Sequence, residues 1–336
     1  MKTKEEILEI LRRDCNRYSA QELQIFVKDG ILGWSDLSEI YGERQLRAIY
    51  EYEPPVHHPY QGSIDTSQSG LEIYVWGDYR VGKTCFTGAI CSVLRASGVF
   101  EPQSEYAIQL SHMFHSDVCT LPMAALNNIH VAKFRVRNEK GKADIVYIIE
   151  MSSKIGKVMA KALMGIELSC EEYDLLQQTM SYLRNSQNYK IHYFLMEYAR
   201  VDENTRKSAS AGMTQESFLS SIARFLHNHG IFPDKNTLEV CGLVTKCDRI
   251  DEDKASSIMT TFPPSERPLR AYNYVRKSFN SFWRTIADIC TQSKIPTICI
   301  SYSIGKVFAQ NLCEFDPSDT AKIIEHLQSI FKKNIF

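Results

Sequence analysis

No apolar run in the 336 residues approaches the ~18 that a membrane-spanning helix needs, so no span is expected. A charge excess of either sign is missing too: 39 basic residues face 40 acidic ones, for a formal net charge of −1. Without surplus cations to neutralise a row of phosphates, general nucleic-acid binding has no compositional support. No C-x-x-C pair occurs among the 10 cysteines, which removes the usual signature of a zinc or redox site. Cys85, Cys91, Cys241 and Cys299 instead fall inside apolar helix- or strand-like patterns. They read as small buried hydrophobes of a reduced, cytoplasmic protein. The opening Met1-Lys2-Thr3-Lys4-Glu5-Glu6 is polar and acid-containing, unlike a signal or transit peptide. Internal repeats and low-complexity tracts are lacking as well. What is present is ordinary: 44% apolar and 24% charged residues, a globular balance. At roughly 150 residues per domain the length suggests about two domains.

The punctuation of the chain divides it into three parts. Residues 1–53 read as a small all-helical module. Thr3 with Glu6, and Ser19 with Glu22, form capping boxes, in which hydroxyl and carboxylate each satisfy an orphan backbone N–H. Residues 54–70 hold Pro, Gly and Ser without periodicity and read as a linker. Residues 71–336 alternate strands with helices. Six strands are expected, over 71–76, 129–137, 143–150, 191–197, 238–244 and 295–300. Residues 138–142 make the turn of a hairpin. Five main helices are expected, among them a long one over 269–290 and a last one opened by Asp316 and Pro317. Such alternation predicts an α/β fold with a six-stranded, mostly parallel sheet covered on both faces.

Gly77-Asp78-Tyr79-Arg80-Val81-Gly82-Lys83-Thr84 matches G-x-x-x-x-G-K-[ST], the phosphate-binding P-loop or Walker A motif. An apolar strand runs into it and an amphipathic helix begins within it. The two glycines let the backbone curl so that successive N–H groups point at a phosphate, and the helix adds the positive end of its dipole. Residues Gly77 through Thr84, with the following Cys85, are therefore the expected phosphate-binding segment. Lys83 is suited to the β- and γ-phosphates and the Thr84 hydroxyl to Mg²⁺, which makes these two the expected catalytic residues. Arg80 reads first as a solvated side chain and only secondarily as a source of charge for a γ-phosphate.

A second motif, Thr245-Lys246-Cys247-Asp248, fits [NT]-K-x-D at the end of an apolar strand. A carboxylate there can accept from both N1–H and the exocyclic amino group of guanine, an arrangement adenine does not offer. The Lys246 stem would lie along the purine face. Ser301-Tyr302-Ser303, at the tip of the last strand, stands where a second base-contacting loop is expected, and a plain strand end explains it almost as well. Metal ligation is expected from Thr84, from Glu150 at the end of its strand and from Thr120 in the polar loop before residue 129. The segment Glu150-Met151-Ser152-Ser153 takes the place of a D-x-x-G, with Glu for Asp and Ser for Gly, and no Gln follows to orient water.

With these residues in place, positions 71–331 resemble the Ras-like, translation-factor-related class of P-loop GTPases. At finer grain the chain looks like large bacterial GTPases of conflict systems, the double-GTPase type. The resemblance implies a GTP/GDP- and magnesium-binding hydrolase that works as a slow, nucleotide-controlled switch on a protein effector or activating partner. Two other readings stay open: a non-hydrolysing nucleotide-binding scaffold, and an ATP-using P-loop NTPase in which TKCD is coincidental.

Overall fold

The computed structural model describes residues 2–54, 68–114, 117–121, 129–137, 143–198, 213–248 and 266–334. Most of the expected linker, the hairpin turn at 138–142 and most of the polar loop at 199–213 lie outside them. Strand β1 (Gly70–Trp76) is central. It pairs in parallel with β5 (Ala143–Glu150) on one side and β6 (Tyr189–Glu197) on the other. Parallel β7 (Thr237–Thr245) and β8 (Thr297–Ser301) extend the sheet beyond β6. On the far side β4 (His130–Arg137) runs antiparallel to β5, and the short β2 (Phe100–Pro102) antiparallel to β4. The order is thus β2-β4-β5-β1-β6-β7-β8.

Side chains alternate across this sheet, and both faces are buried. Tyr74, Trp76, Tyr147, Ile149 and Phe194 point to one core. It is covered by α7 (Ser153–Leu163), α8 (Cys170–Asn185), α9 (Gln215–Asn228), α10 (Glu266–Ser278) and α11 (Asn280–Gln292). Leu71, Ile73, Val75, Ile148 and Tyr193 point to the other, under α5 (Lys83–Ala96), α6 (Glu105–Met113) and α12 (Ser318–Asn334). Burial on both faces explains why these strands read as near-continuous apolar runs.

Three features differ from the sequence expectation. The main sheet has seven strands rather than six, because the three-residue β2 is too short to carry a period. A second sheet, β3 (Val118–Thr120), β10 (Leu312–Phe315) and β9 (Gly305–Phe308), accompanies it. The helix expected over 269–290 is two helices broken at Phe279, whose ψ of 29° leaves the helical region. No proline marks the break. Its cause is tertiary: the Glu216 carboxylate, on α9, accepts the Ser281 N–H at 2.6 Å and the Phe282 N–H at 3.4 Å, capping the new helix start from outside.

The N-terminal segment forms α1 (Lys4–Arg13), α2 (Ala20–Lys28), α3 (Trp34–Ser38) and α4 (Glu43–Tyr50), with both capping boxes made. Its core of Ile7, Leu11, Leu23, Leu37 and Ile49 is shared with Phe308, Ala309 and Leu312 of the β9–β10 hairpin. At the hairpin tip Ala309 and Gln310 have φ of 45° and 59°, a left-handed conformation that costs L-residues roughly 1–2 kcal/mol each. The N-terminal segment holds that tip. Cys15 O accepts the Ala309 N–H at 3.3 Å, Arg17 O accepts Gln310 Nε2 at 2.7 Å, and Asn311 Oδ1 accepts the Ala20 N–H at 3.2 Å.

One core residue ties stability to acid. His192 on β6 is fully buried, stacked on Tyr74 with ring centroids 5.0 Å apart, and its Nδ1 accepts Trp76 Nε1–H at 3.1 Å. Protonating Nδ1 would break that bond and bury a charge, so burial pulls the imidazole from 6.5 to about 3. Between those values the unfolded chain binds a proton that the folded one refuses. Stability from this group is complete above 6.5 and is lost as pH falls toward 3, by about 1.4 kcal/mol per pH unit. His192→Gln keeps an acceptor for Trp76 and should flatten the decline in urea-unfolding free energy between neutral pH and about 4.5. An unchanged slope would assign the acid sensitivity to other groups.

Candidate functional site

The site lies where the parallel strands β1, β5, β6, β7 and β8 end. At Gly77 a Cβ would sit 2.7 Å from Val81 Cγ1, so only glycine lets the loop fold back over its own strand. Gly82, at φ 97°, supplies the left-handed step into α5. Between them Asp78 is fully buried, and its Oδ1 accepts the Tyr79 N–H at 2.7 Å. Val81 is buried in the core. Arg80, at φ 61°, turns outward to solvent with its guanidinium 5.1 Å from the Tyr79 ring centre. Cys85 faces partly inward, and burial pushes its thiol up to about 12.

Lys83 is only 8% exposed, and its ammonium donates three hydrogen bonds of 2.9 Å, to Gly77 O, Asp78 O and Ser153 Oγ. Burial pulls it down to about 8, against the nearby Glu150 and Asp78 charges that hold it up. Next to it the Thr84 hydroxyl donates to Glu150 Oε1 at 2.7 Å. The other carboxylate oxygen accepts the Tyr106 hydroxyl at 3.1 Å. Burial raises the Glu150 pKa, opposed by Lys83, Thr84 and Tyr106. A cation, a carboxylate and three hydroxyls thus meet in one dry corner, where charges act far more strongly than in water. Hard oxygen donors of this kind suit Mg²⁺.

The second motif abuts the first. Thr245, at the end of β7, donates its hydroxyl to Val81 O at 2.8 Å, pinning the loop after β7 to the loop at 77–82. Lys246 takes a left-handed φ of 59°, and its ammonium pairs with the buried Glu197 at 2.7 Å. Asp248 Oδ1 accepts the Ser303 hydroxyl at 3.1 Å. Of the loop after β8, Ser301 stands opposite Val244 in the sheet register. Tyr302 is buried: its ring meets Phe86 edge-on at 5.1 Å and its hydroxyl lies 3.0 Å from Thr320 Oγ1. Ser303 is the residue of this loop that reaches the Asp248 carboxylate.

Most of the residues singled out in the sequence converge here. Thr120 does not join them: it lies in β3, opposite Leu312 in the second sheet. Among the described residues no side-chain hydrogen bond links it to Thr84 or Glu150. Sequence reasoning passed over Tyr106 and Glu197, and the role of the Ser153 hydroxyl. Neither Tyr106 nor Glu197 lies within a recognisable motif.

No protein-family model matches this chain, and no curated protein is significantly similar to it. Among solved structures it is similar to the Methanosarcina barkeri Roco2 RocCORdC bound to GDP, at 11% identity and a TM-score of 0.30. The match covers 79% of this chain and 50% of that one, so the chain spans half the length of that protein. At such a TM-score the likeness bears on neither fold nor function.

Proposed function

We propose that this chain is a GTP- and GDP-binding regulatory switch, a slow Mg²⁺-dependent GTPase read by a protein partner. The observation that carries this reading is the Thr245–Val81 hydrogen bond, which holds the G-x-x-x-x-G-K-T loop and the [NT]-K-x-D loop side by side. In this reading the curled backbone at 77–82 and Lys83 hold the β- and γ-phosphates, and Asp248, steadied by Ser303, reads guanine. Thr84 and Glu150 are the residues that would hold Mg²⁺, which when bound supplies charge neutralisation on the phosphates. The partner rests on the resemblance alone.

Slow hydrolysis follows from what surrounds the γ-phosphate position. No Gln follows Ser153 to orient a water, and Arg80 points to solvent beside Tyr79. Single-turnover phosphate release with GTP and Mg²⁺ is expected on or below the ~10⁻⁴ s⁻¹ scale of an unassisted small GTPase. A rate near one per second without any partner would defeat the slow-switch reading. A second reading, a scaffold that binds but does not turn over, is favoured by Ser153. It already begins α7, and its hydroxyl already accepts from Lys83, which leaves this segment little freedom to rearrange. Tight GTP binding with no phosphate release over days would select it.

A further inference from the structure

We propose that Tyr106 is a positioning residue: its hydroxyl aims the Glu150 carboxylate at the Thr84 hydroxyl and so sets the affinity of the site for a divalent cation. The inference rests on the Mg²⁺-nucleotide reading above and adds a residue outside every motif.

Glu150 ends β5 on a longer, freer stem than an aspartate would have. A carboxylate on such a stem needs a second anchor if one oxygen is to stay on Thr84. Tyr106 provides it, with Thr84 on Oε1 at 2.7 Å and Tyr106 on Oε2 at 3.1 Å. A threonine hydroxyl has one hydrogen and two lone pairs. Donating the hydrogen to Glu150 leaves the lone pairs for a cation and makes the oxygen a better donor to it. Outer hydrogen bonds of this kind orient the ligands of metal sites.

The helix that carries Tyr106 is fastened to the strand beside Glu150. Ser104 caps α6 by accepting the Ala107 N–H at 3.2 Å, and the same oxygen accepts the Lys133 N–H of β4 at 3.0 Å and donates to Val131 O at 3.3 Å. Gln103 N–H donates to Lys133 O at 2.7 Å. The Tyr106 ring stacks on His130, centroids 5.0 Å apart, and His130 stands opposite Glu150 in the β4–β5 register. Packing alone would be served by phenylalanine. The hydroxyl, on a side chain 7% exposed, is what a carboxylate-aiming role requires.

The test is a Mg²⁺ titration of fluorescent GDP binding to full-length protein, as wild type, Tyr106→Phe, Glu150→Ala and the double variant. Outer-shell changes typically cost roughly 10–100-fold in metal affinity. Tyr106→Phe should therefore raise the half-saturating Mg²⁺ concentration about tenfold while leaving GDP affinity in EDTA within about twofold. In the Glu150→Ala background it should add nothing. An unchanged Mg²⁺ midpoint in Tyr106→Phe, where Glu150→Ala does shift it, overturns the positioning role and leaves the Mg²⁺ reading intact. Equal losses with Mg²⁺ and with EDTA, or an undiminished shift in the Glu150→Ala background, assign Tyr106 to packing and also overturn it. No GDP binding by wild type, or no shift in Glu150→Ala, sinks the underlying reading and the inference together.

Discussion

Replacing Lys83 by alanine should weaken GTP and GDP binding at least about a thousandfold, which is about 4 kcal/mol. Hydrogen bonds to a charged group contribute about 1.5–3 kcal/mol each, and the Lys83 ammonium now makes three. In the proposed complex it faces the most concentrated charge of the ligand from a dry position, with no other cationic side chain in the motif turned inward. The ammonium also braces the loop, through Gly77 O and Asp78 O, so the variant loses preorganisation as well as charge. Lys83→Met keeps the packing of the aliphatic stem but loses the ammonium with its three hydrogen bonds, so it should fail to bind as alanine does. Titration calorimetry reads the result directly. Affinity unchanged by either substitution would remove the phosphate loop from the site.

Asp248 should produce the second large effect. Wild type is expected to prefer GTP over ATP by roughly 10⁴-fold, because a site built to hydrogen-bond a donor rejects an analogue that lacks it. Asp248→Asn replaces an acceptor-only carboxylate by an amide whose NH₂ can donate. Preference should then move from guanine, which presents an amino group, to xanthine, which presents a carbonyl in its place. Ser303 sharpens the expectation. It donates to Asp248 Oδ1, so one oxygen is held while the carboxylate as a whole is aimed. The measurement is displacement of a fluorescent GTP analogue by GTP, ATP and XTP from both proteins. Equal displacement by GTP and ATP from wild type would instead favour the ATP-using reading, with TKCD a coincidence of four letters.

Some of this molecule was legible because it is written contiguously. The strand into Gly77, the capping boxes at Thr3 and Ser19, and Asp316 before the last helix each depend on residues within a turn or a strand of one another. The even burial of both sheet faces followed from near-continuous apolar runs at 71–76 and 191–196, interrupted only by Glu72 and His192. Lys83 and Thr84 stand together at one helix start because the eight adjacent residues 77–84 carry the geometry themselves.

Tertiary structure decided whatever depends on residues far apart in the chain. The Glu216 carboxylate that splits the helix at Phe279 lies 65 residues before the N–H it caps at Ser281. Glu150 meets Thr84 across 66 residues and Tyr106 across 44, and Asp248 meets Ser303 across 55. The N-terminal helices read as a module of their own, yet their core includes Phe308 and Leu312, and Ala20 bonds to Asn311 across 291 residues. Local patterns record only the periodicity and capping of one element. Which polar atom of another element arrives within 3 Å is set by how the sheet orders its strands, and a single sequence carries no mark of that order.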